Sequence, residues 1–180
     1  ADIIEVGTSL IKDFGLESVR TIKSAFPDHL ILADIKTIDE GAYEFRAAFQ
    51  AGADIATVMA ASSMETLEAC YQVATEFGRQ MLIDVLEERF EKIHRLETFH
   101  NAIFCIHSST DKSNTDIVKQ LREFKIEHPN LKKLAIAGGI KLEVIKSLKQ
   151  EGIETVIMGS AITKSGQPNE AAKVFHGQLS

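Results

Sequence analysis

Asp34, Lys36 and Asp39 end the apolar run LILADIKTIDEG. A buried strand excludes charge, so an acid, a base and a second acid at its end mark a place where charge is used. Other runs carry similar residues: Glu5 in DIIEVG, Asp84 in MLIDVL and His107 in AIFCIHS. Side chains alternate along a strand. Alternation puts Ile3, Glu5 and Gly7 on one face of their run, Leu32, Asp34 and Lys36 on one face of the next, and Leu82, Asp84 and Leu86 on one face of a third. Cys105 and His107 share a face in the same way. In each run the polar member lies at or near the C-terminal end. One such residue alone is read as a strand-end charge reaching water. Five on matching faces, Glu5, Asp34, Lys36, Asp84 and His107, are expected to converge on one mouth as a polar catalytic site.

The elements that position them follow from periodicity. Short apolar runs at 2–7, 30–36, 55–60, 81–86, 102–108, 133–139 and 154–160 alternate with segments whose apolar residues recur at three- and four-residue spacing, such as LESVRTIKSAF and METLEACYQVATEF. The unit returns every ~20–30 residues, the scale of a strand–helix module. Gly52 and Gly78 are placed to end helices, and Pro27 and Pro129 follow helical patterns. Strands this apolar, alternating with helices, predict a parallel sheet covered on both faces. Two architectures meet that description, an open doubly wound sheet and a (β/α)8 TIM barrel. Chemistry at the C-terminal strand ends is the barrel's habit. Seven units are one short of a barrel, and ADIIEVG opens on a strand, so a preceding strand–helix unit is expected. With no linker or low-complexity stretch, residues 1–180 are expected to form a single domain, units 2 to 8 of the barrel.

The last two units carry glycines where strands end: Gly138 and Gly139 in AIAGGI, Gly159 and Ser160 in VIMGSAI. Glycine permits close backbone approach, and N–H groups at a following helix start bind phosphate. Barrel enzymes often hold phosphate between these two loops, so a phosphorylated substrate is expected.

Composition excludes several other classes. The 180 residues carry a formal charge of −6 with both signs interspersed and no basic stripe, which argues against a nucleic-acid partner. No apolar run is long enough to cross a bilayer. Cys70 and Cys105 lack metal-ligand or redox spacing and are expected as free buried thiols in a reducing, cytoplasmic setting. His29, His94, His100, His128 and His176 fall in turns or helical patterns and are expected at the surface. The segment EERFEK, 87–92, is expected as a solvated helical face. No zinc spacing, P-loop or nucleophile elbow occurs.

ADIIEVGTSLIKDFG, LADIKTIDEG, AGADIATVMAA and AIAGGI with VIMGSAIT resemble the hexulose-6-phosphate synthases and the related 3-keto-L-gulonate-6-phosphate decarboxylases, members of the orotidine-monophosphate decarboxylase suprafamily. The likeness covers nearly the whole chain, and its hallmark is Asp-x-Lys-x-x-Asp, here Asp34, Lys36 and Asp39. It implies a (β/α)8 barrel that works as a homodimer. It also implies Mg2+ held by Glu5 and Asp34, Lys36 beside the metal, and Asp39 reaching into the neighbouring subunit's site. His107 matches a histidine late in the sixth strand. At four positions that separate the two activities this chain has Asp84, Thr110, Ala137 and Ser160. The decarboxylases tend to have Glu, Arg, Thr and Arg there, so the resemblance leans towards the synthase. The family's first strand, with a further Asp, has no counterpart in these residues. SSTDKSNTD after His107 is shorter than the family's loop, and VLEERFEK after Asp84 also departs from the pattern.

The implied reaction condenses formaldehyde with D-ribulose 5-phosphate to D-arabino-hex-3-ulose 6-phosphate through a metal-stabilised enediolate. Two carboxylates are hard ligands suited to Mg2+. Lys36 would add positive charge at the enediolate, with Asp34 and Asp39 keeping it protonated. His107, a side chain that titrates near neutrality, is the candidate for proton transfer. The decarboxylase is the nearest alternative. An epimerase or isomerase on a similar barrel would not call for Asp-x-Lys-x-x-Asp. A non-catalytic barrel relative would have no reason to keep Glu5, Asp34, Lys36, Asp39 and His107 together.

Overall fold

A computed structural model describes residues 1–86, 90–109, 116–153 and 155–179. All seven expected strands form: β1 (Ile3–Val6), β2 (Leu30–Thr37), β3 (Ile55–Met59), β4 (Gln80–Asp84), β5 (Ile103–His107), β6 (Leu134–Ala137) and β7 (Thr155–Ile157). Helices alternate with them: α1 (Thr8–Phe14) and α2 (Glu17–Ala25), then α3 (Gly41–Gln50), α4 (Met64–Glu76), α5 (Phe90–Leu96), α6 (Ile117–Glu127) and α7 (Leu142–Gln150). The short α8 (Ser160–Thr163) and α9 (Pro168–Leu179) follow β7. The chain forms two compact units. One comprises Asp2–Asp84 with Phe99–Ile103; the other comprises Val85–Thr98 and Phe104–Ser180.

In the first unit, β1 to β4 pair in parallel in sequence order. Ile55, Ala56, Thr57 and Val58 of β3 are all buried, as expected of a central strand covered on both faces. α3 turns Phe45, Ala48 and Phe49 inward, and α4 turns Leu67, Cys70, Val73 and Ala74 inward. The two helices approach closely at Gly41, where a Cβ would lie 2.7 Å from both Cys70 Sγ and the Thr66 carbonyl. Ser63 caps α4 by accepting from the Thr66 N–H at 3.1 Å. Gly52 and Gly78 follow the ends of α3 and α4 with φ of 103° and 61°, the left-handed exit expected of them.

Asp54 secures the N-terminal side of this sheet. Its buried carboxylate accepts the Ile31 N–H at 2.9 Å and the Lys23 ammonium at 3.0 Å, and it also pairs with Arg79. Three otherwise separate segments, α2, β2 and the turn before β4, are thereby tied to the start of β3. A buried carboxylate demands such partners. Its place at the strand N-termini marks Asp54 as a stability residue of this fold.

In the second unit, β5, β6 and β7 pair in parallel, with His107 opposite Ala137 and Ala137 opposite Ile157. Asp116 caps α6 through the Lys119 N–H at 3.0 Å. α6 buries Ile117, Leu121 and Phe124, and α7 buries Ile145 and Leu148. Cys70 and Cys105 are buried thiols outside any disulfide, as expected. Among the described residues no helix is long and apolar enough to cross a membrane.

Candidate active site

β2 does not run as a regular strand to its end. Leu32 and Ala33 pair with Ile55 and Ala56, but Thr37 pairs with Val58, so extra residues of β2 are taken up against β3 between Ala33 and Thr37. Lys36 sits in that irregularity with φ of 49°, a left-handed conformation rare outside glycine. Its N–H bonds to Thr57 Oγ1 at 2.8 Å. Bulges near active sites re-aim side chains, and a strained non-glycine residue persists only where its surroundings hold it.

The re-aimed ammonium of Lys36 lies 2.8 Å from Asp84 Oδ2 and 3.2 Å from Asp34 Oδ1. Asp84 is the last residue of β4 and Asp34 lies late in β2, so both acids stand towards the C-terminal ends of their strands. Both are buried. Asp34 is oriented from two further sides: Thr8 Oγ1 donates to Oδ2 at 2.5 Å and Thr57 Oγ1 donates to Oδ1 at 2.9 Å. Burial by itself pulls the Lys36 pKa down. The charge and hydrogen bond of Asp84, followed by those of Asp34, outweigh it and raise the pKa above the usual lysine value. Lys36 is therefore a fixed cation at neutral pH, suited to stabilising an anion and unsuited to acting as a base.

Asp84, rather than Asp39, is thus the second acid that keeps Lys36 charged. Asp39 is exposed, and its Oδ1 accepts the Glu40 N–H at 2.8 Å in the turn before α3. Asp39 enters the motif through the family resemblance alone, since alternation puts it on the opposite face from Asp34 and Lys36, and the turn before α3 carries it off the strand. Glu5 is exposed on β1, in register with Leu32, two residues before Asp34.

Thr8 and Thr57 belong to this cluster, and sequence reasoning does not single them out. Signals for both exist: Thr57 is the lone hydroxyl in the buried run IATVM, and Thr8 directly follows Gly7 at the end of a strand. Thr57 holds Asp34 and the Lys36 backbone at once. The near-isosteric Thr57→Val removes both bonds and leaves a part-buried N–H without its acceptor. It is expected to cost about 1–3 kcal/mol of unfolding free energy in a urea titration. An unchanged midpoint would show that Thr57 does not hold the bulge.

In the second unit, His107 ends β5 and is half-buried. The next residue, Ser108, donates its N–H to the Ala137 carbonyl at 3.1 Å. Gly138 then packs so closely that a Cβ would stand 1.9 Å from the Ser108 carbonyl oxygen, and its φ is 90°. Gly139 follows at φ 61°. Gly159 precedes α8 and Ser160 is its first residue; both are exposed. Since β6 and β7 are neighbours, these glycine loops leave adjacent strands at the same end. Thr110, most of SSTDKSNTD and residues 87–89 of EERFEK lie outside the described residues. His128, expected at the surface, is buried at 1 % exposure because the end of α6 packs it against Phe124 and Glu97.

Parallel strands alternating with helices, with a lysine–carboxylate cluster at the strand C-terminal ends, define a TIM-barrel enzyme. Residues 1–175 match the model of the Orotidine 5'-phosphate decarboxylase / HUMPS family, and the chain belongs to that family. A 3-hexulose-6-phosphate synthase of Bacillus subtilis is 34% identical over 178 residues, spanning 95% of this chain and 83% of the relative. The crystal structure of 3-hexulose-6-phosphate synthase from Salmonella typhimurium matches with a TM-score of 0.94 at 30% identity, covering 99% of this chain and 86% of that one. A 3-keto-L-gulonate-6-phosphate decarboxylase from Vibrio cholerae matches with a TM-score of 0.84, also at 30% identity, covering 99% and 85%. These likenesses bear out the barrel fold and an enzyme of the lyase type.

Proposed function

We propose that this chain joins formaldehyde to C1 of D-ribulose 5-phosphate, giving D-arabino-hex-3-ulose 6-phosphate. The observation that carries the reading is Lys36 held as a cation between Asp34 and Asp84. A base takes the C1 proton, leaving an enediolate whose negative charge the ammonium would stabilise. The enediolate carbon then bonds to the formaldehyde carbon, and the former aldehyde oxygen takes up a proton. His107 is the proposed carrier of that proton. The backbone at Gly138, Gly139, Gly159 and Ser160 would hold the phosphate, binding the substrate away from its reacting carbon. Asp84 would also border the substrate, as the partner of Lys36.

Glu5 and Asp34 would hold Mg2+. The donor set fits: both are hard carboxylate ligands, on neighbouring strands, and Asp34 is fixed in orientation by Thr8 and Thr57. When bound, the ion supplies Lewis acidity towards the substrate oxygens.

The short acid at Asp84 and the uncharged Ser160 favour the synthase over the decarboxylase. A parallel assay tests this, one arm with ribulose 5-phosphate and formaldehyde, the other with 3-keto-L-gulonate 6-phosphate. Turnover is expected in the first arm, lost with a chelator and regained with Mg2+. Turnover in the second arm alone would reassign the chain as a decarboxylase.

The proposal includes a homodimer in which Asp39 completes the neighbour's site. The large exposed side chains Ile38 and Tyr43, at 55% and 72% exposure, stand either side of Asp39 and suit a covered face. Mixing inactive Lys36→Met and Asp39→Asn chains should regenerate turnover, since a hybrid dimer has one site with both residues. No recovery in a mixture shown to exchange subunits would remove Asp39 from that role.

A further inference from the structure

Three side chains that the proposed reaction does not use meet in the second unit. His94 lies in the last turn of α5, Glu97 just beyond it, and His128 at the C-terminal end of α6. Glu97 Oε1 is 3.2 Å from His94 Nδ1 and 3.0 Å from His128 Nδ1. The ligand atoms of the three all lie within 4.8 Å of one another. We propose that His94, Glu97 and His128 form a binding site for a borderline divalent transition metal, with Zn2+ as the fitting ion.

The donor types support this. Two imidazole nitrogens and one carboxylate oxygen with a fourth position open to water form a zinc set, whereas Mg2+ and Ca2+ take oxygen ligands. The distances support it too. Tetrahedral Zn2+ with bonds of about 2.0–2.1 Å sets its ligand atoms roughly 3.3–3.4 Å apart. The two edges to Glu97, 3.0 and 3.2 Å, are close to that value, and the third lies within 4.8 Å.

Both Nδ1 atoms converge on a single carboxylate oxygen. Without metal, each ring must carry its proton on Nδ1 and share that acceptor. A cation in their place serves all three atoms, with each neutral ring carrying its proton on Nε2 instead.

The surroundings suit a held site with an entrance. His128 is fully buried and its ring lies 4.8 Å from that of Phe124, which limits its rotation. Asn130 Nδ2 lies 3.5 Å from Glu97 Oε2, on the oxygen away from the histidines, where an outer partner orients a ligand. The His94 side chain is 54% exposed, which leaves a way in for the ion. His94 in the last turn of α5 and Glu97 in the turn after it supply two ligands, and His128 at the C-cap of α6 supplies the third.

The test titrates metal-stripped full-length protein with Zn2+, and with Co2+ as a coloured stand-in. Wild type should bind Zn2+ at this site with a rise in melting temperature, and Co2+ should show the visible bands of tetrahedral nitrogen–oxygen coordination. His94→Gln and Glu97→Gln should each weaken binding by at least about tenfold. Their metal-free melting temperatures should stay near wild type, and turnover by His94→Gln should be unchanged. Asp34→Asn should leave this binding intact, which separates it from any metal at the lysine–carboxylate cluster. Absence of Zn2+ binding in wild type, equal binding by His94→Gln, or loss of the site in Asp34→Asn would each overturn the proposal.

Discussion

Lys36→Met is expected to lower turnover by about 10²–10³-fold, the usual cost of removing one preorganised electrostatic group from a transition state. Methionine keeps the length and apolar stem of lysine and deletes only the charge. The loss should fall on kcat and kcat/KM alike, because the charge it answers develops during reaction. The same substitution should also destabilise the fold. Lys36 lies within 2.8 Å of Asp84 and 3.2 Å of Asp34, and Asp84 is almost fully buried. Taking the cation away leaves two close carboxylates that repel, and breaking a buried ion pair on one side costs about 3–5 kcal/mol. A urea titration on the same preparation separates lost folding from lost chemistry. A folded variant with near wild-type turnover would remove Lys36 from the mechanism.

The pH dependence of that stability difference has a definite sign. The folded-state pKa of Lys36 is raised above its unfolded value, so the stabilisation is fully present below about pH 10.4, the unfolded lysine value. It is lost as pH rises through the folded-state pKa. The gap between wild type and Lys36→Met should therefore be flat between about pH 7 and 9 and close only in stronger alkali. Burial, with help from Glu44, pushes the Cys70 thiol up to about 12, so both chains lose some stability above the ordinary thiol pKa. That loss is common to both and cancels in the difference. A gap that closes below about pH 8 would show that Lys36 is not held as a cation by the two acids.

Gly138→Ala is the second large effect. A Cβ there would stand 1.9 Å from the Ser108 carbonyl oxygen and 2.8 Å from its carbon. Both atoms are backbone, so no side chain can swing aside. The φ of 90° adds a conformation that alanine disfavours. Strain of about 1–3 kcal/mol and overpacking of a similar size combine, so a loss of about 3 kcal/mol or more is expected. The relief movement must displace either Ser108, next to His107, or the loop that carries Gly139. The proposed phosphate grip should weaken with it, read as a rise in KM for the phosphorylated substrate. Gly139→Ala is the comparison, since a Cβ at Gly139 meets nothing within 4 Å. Its cost is confined to the backbone conformation at φ 61°. Equal stability of the two variants would show that the contact with Ser108 does not constrain the loop.

Much of the architecture is legible in the amino-acid sequence. Apolar runs of strand length alternate with helix-period segments, and every one of the seven runs forms a parallel strand. Hydrophobic periodicity is a local signal, and long-range packing here agrees with it. The strand-end placement of Asp34, Asp84 and His107 is legible for the same reason. Harder to read is the partner of Lys36. Counting alternate residues treats β2 as regular to its end, and nothing local in LILADIKTIDEG announces extra residues between Ala33 and Thr37.

Glu5, Asp34, Lys36, Asp84 and His107 stand out in the sequence because charge at the end of an apolar run is costly wherever the chain folds. The sequence by itself thus determined the parallel strand–helix class and the placing of Asp34, Asp84 and His107 towards the C-terminal ends of their strands. Only the tertiary structure decided which of them meet. Lys36 is aimed by a bulge that rests on Thr57, a residue of the neighbouring strand, and it lands between Asp34 and Asp84, forty-eight positions from the latter. The meeting of His94, Glu97 and His128 was equally out of reach, since it depends on how two helix ends pack. Pattern and propensity act over a few residues, whereas register shifts and side-chain pairings are settled by neighbours brought close by the fold.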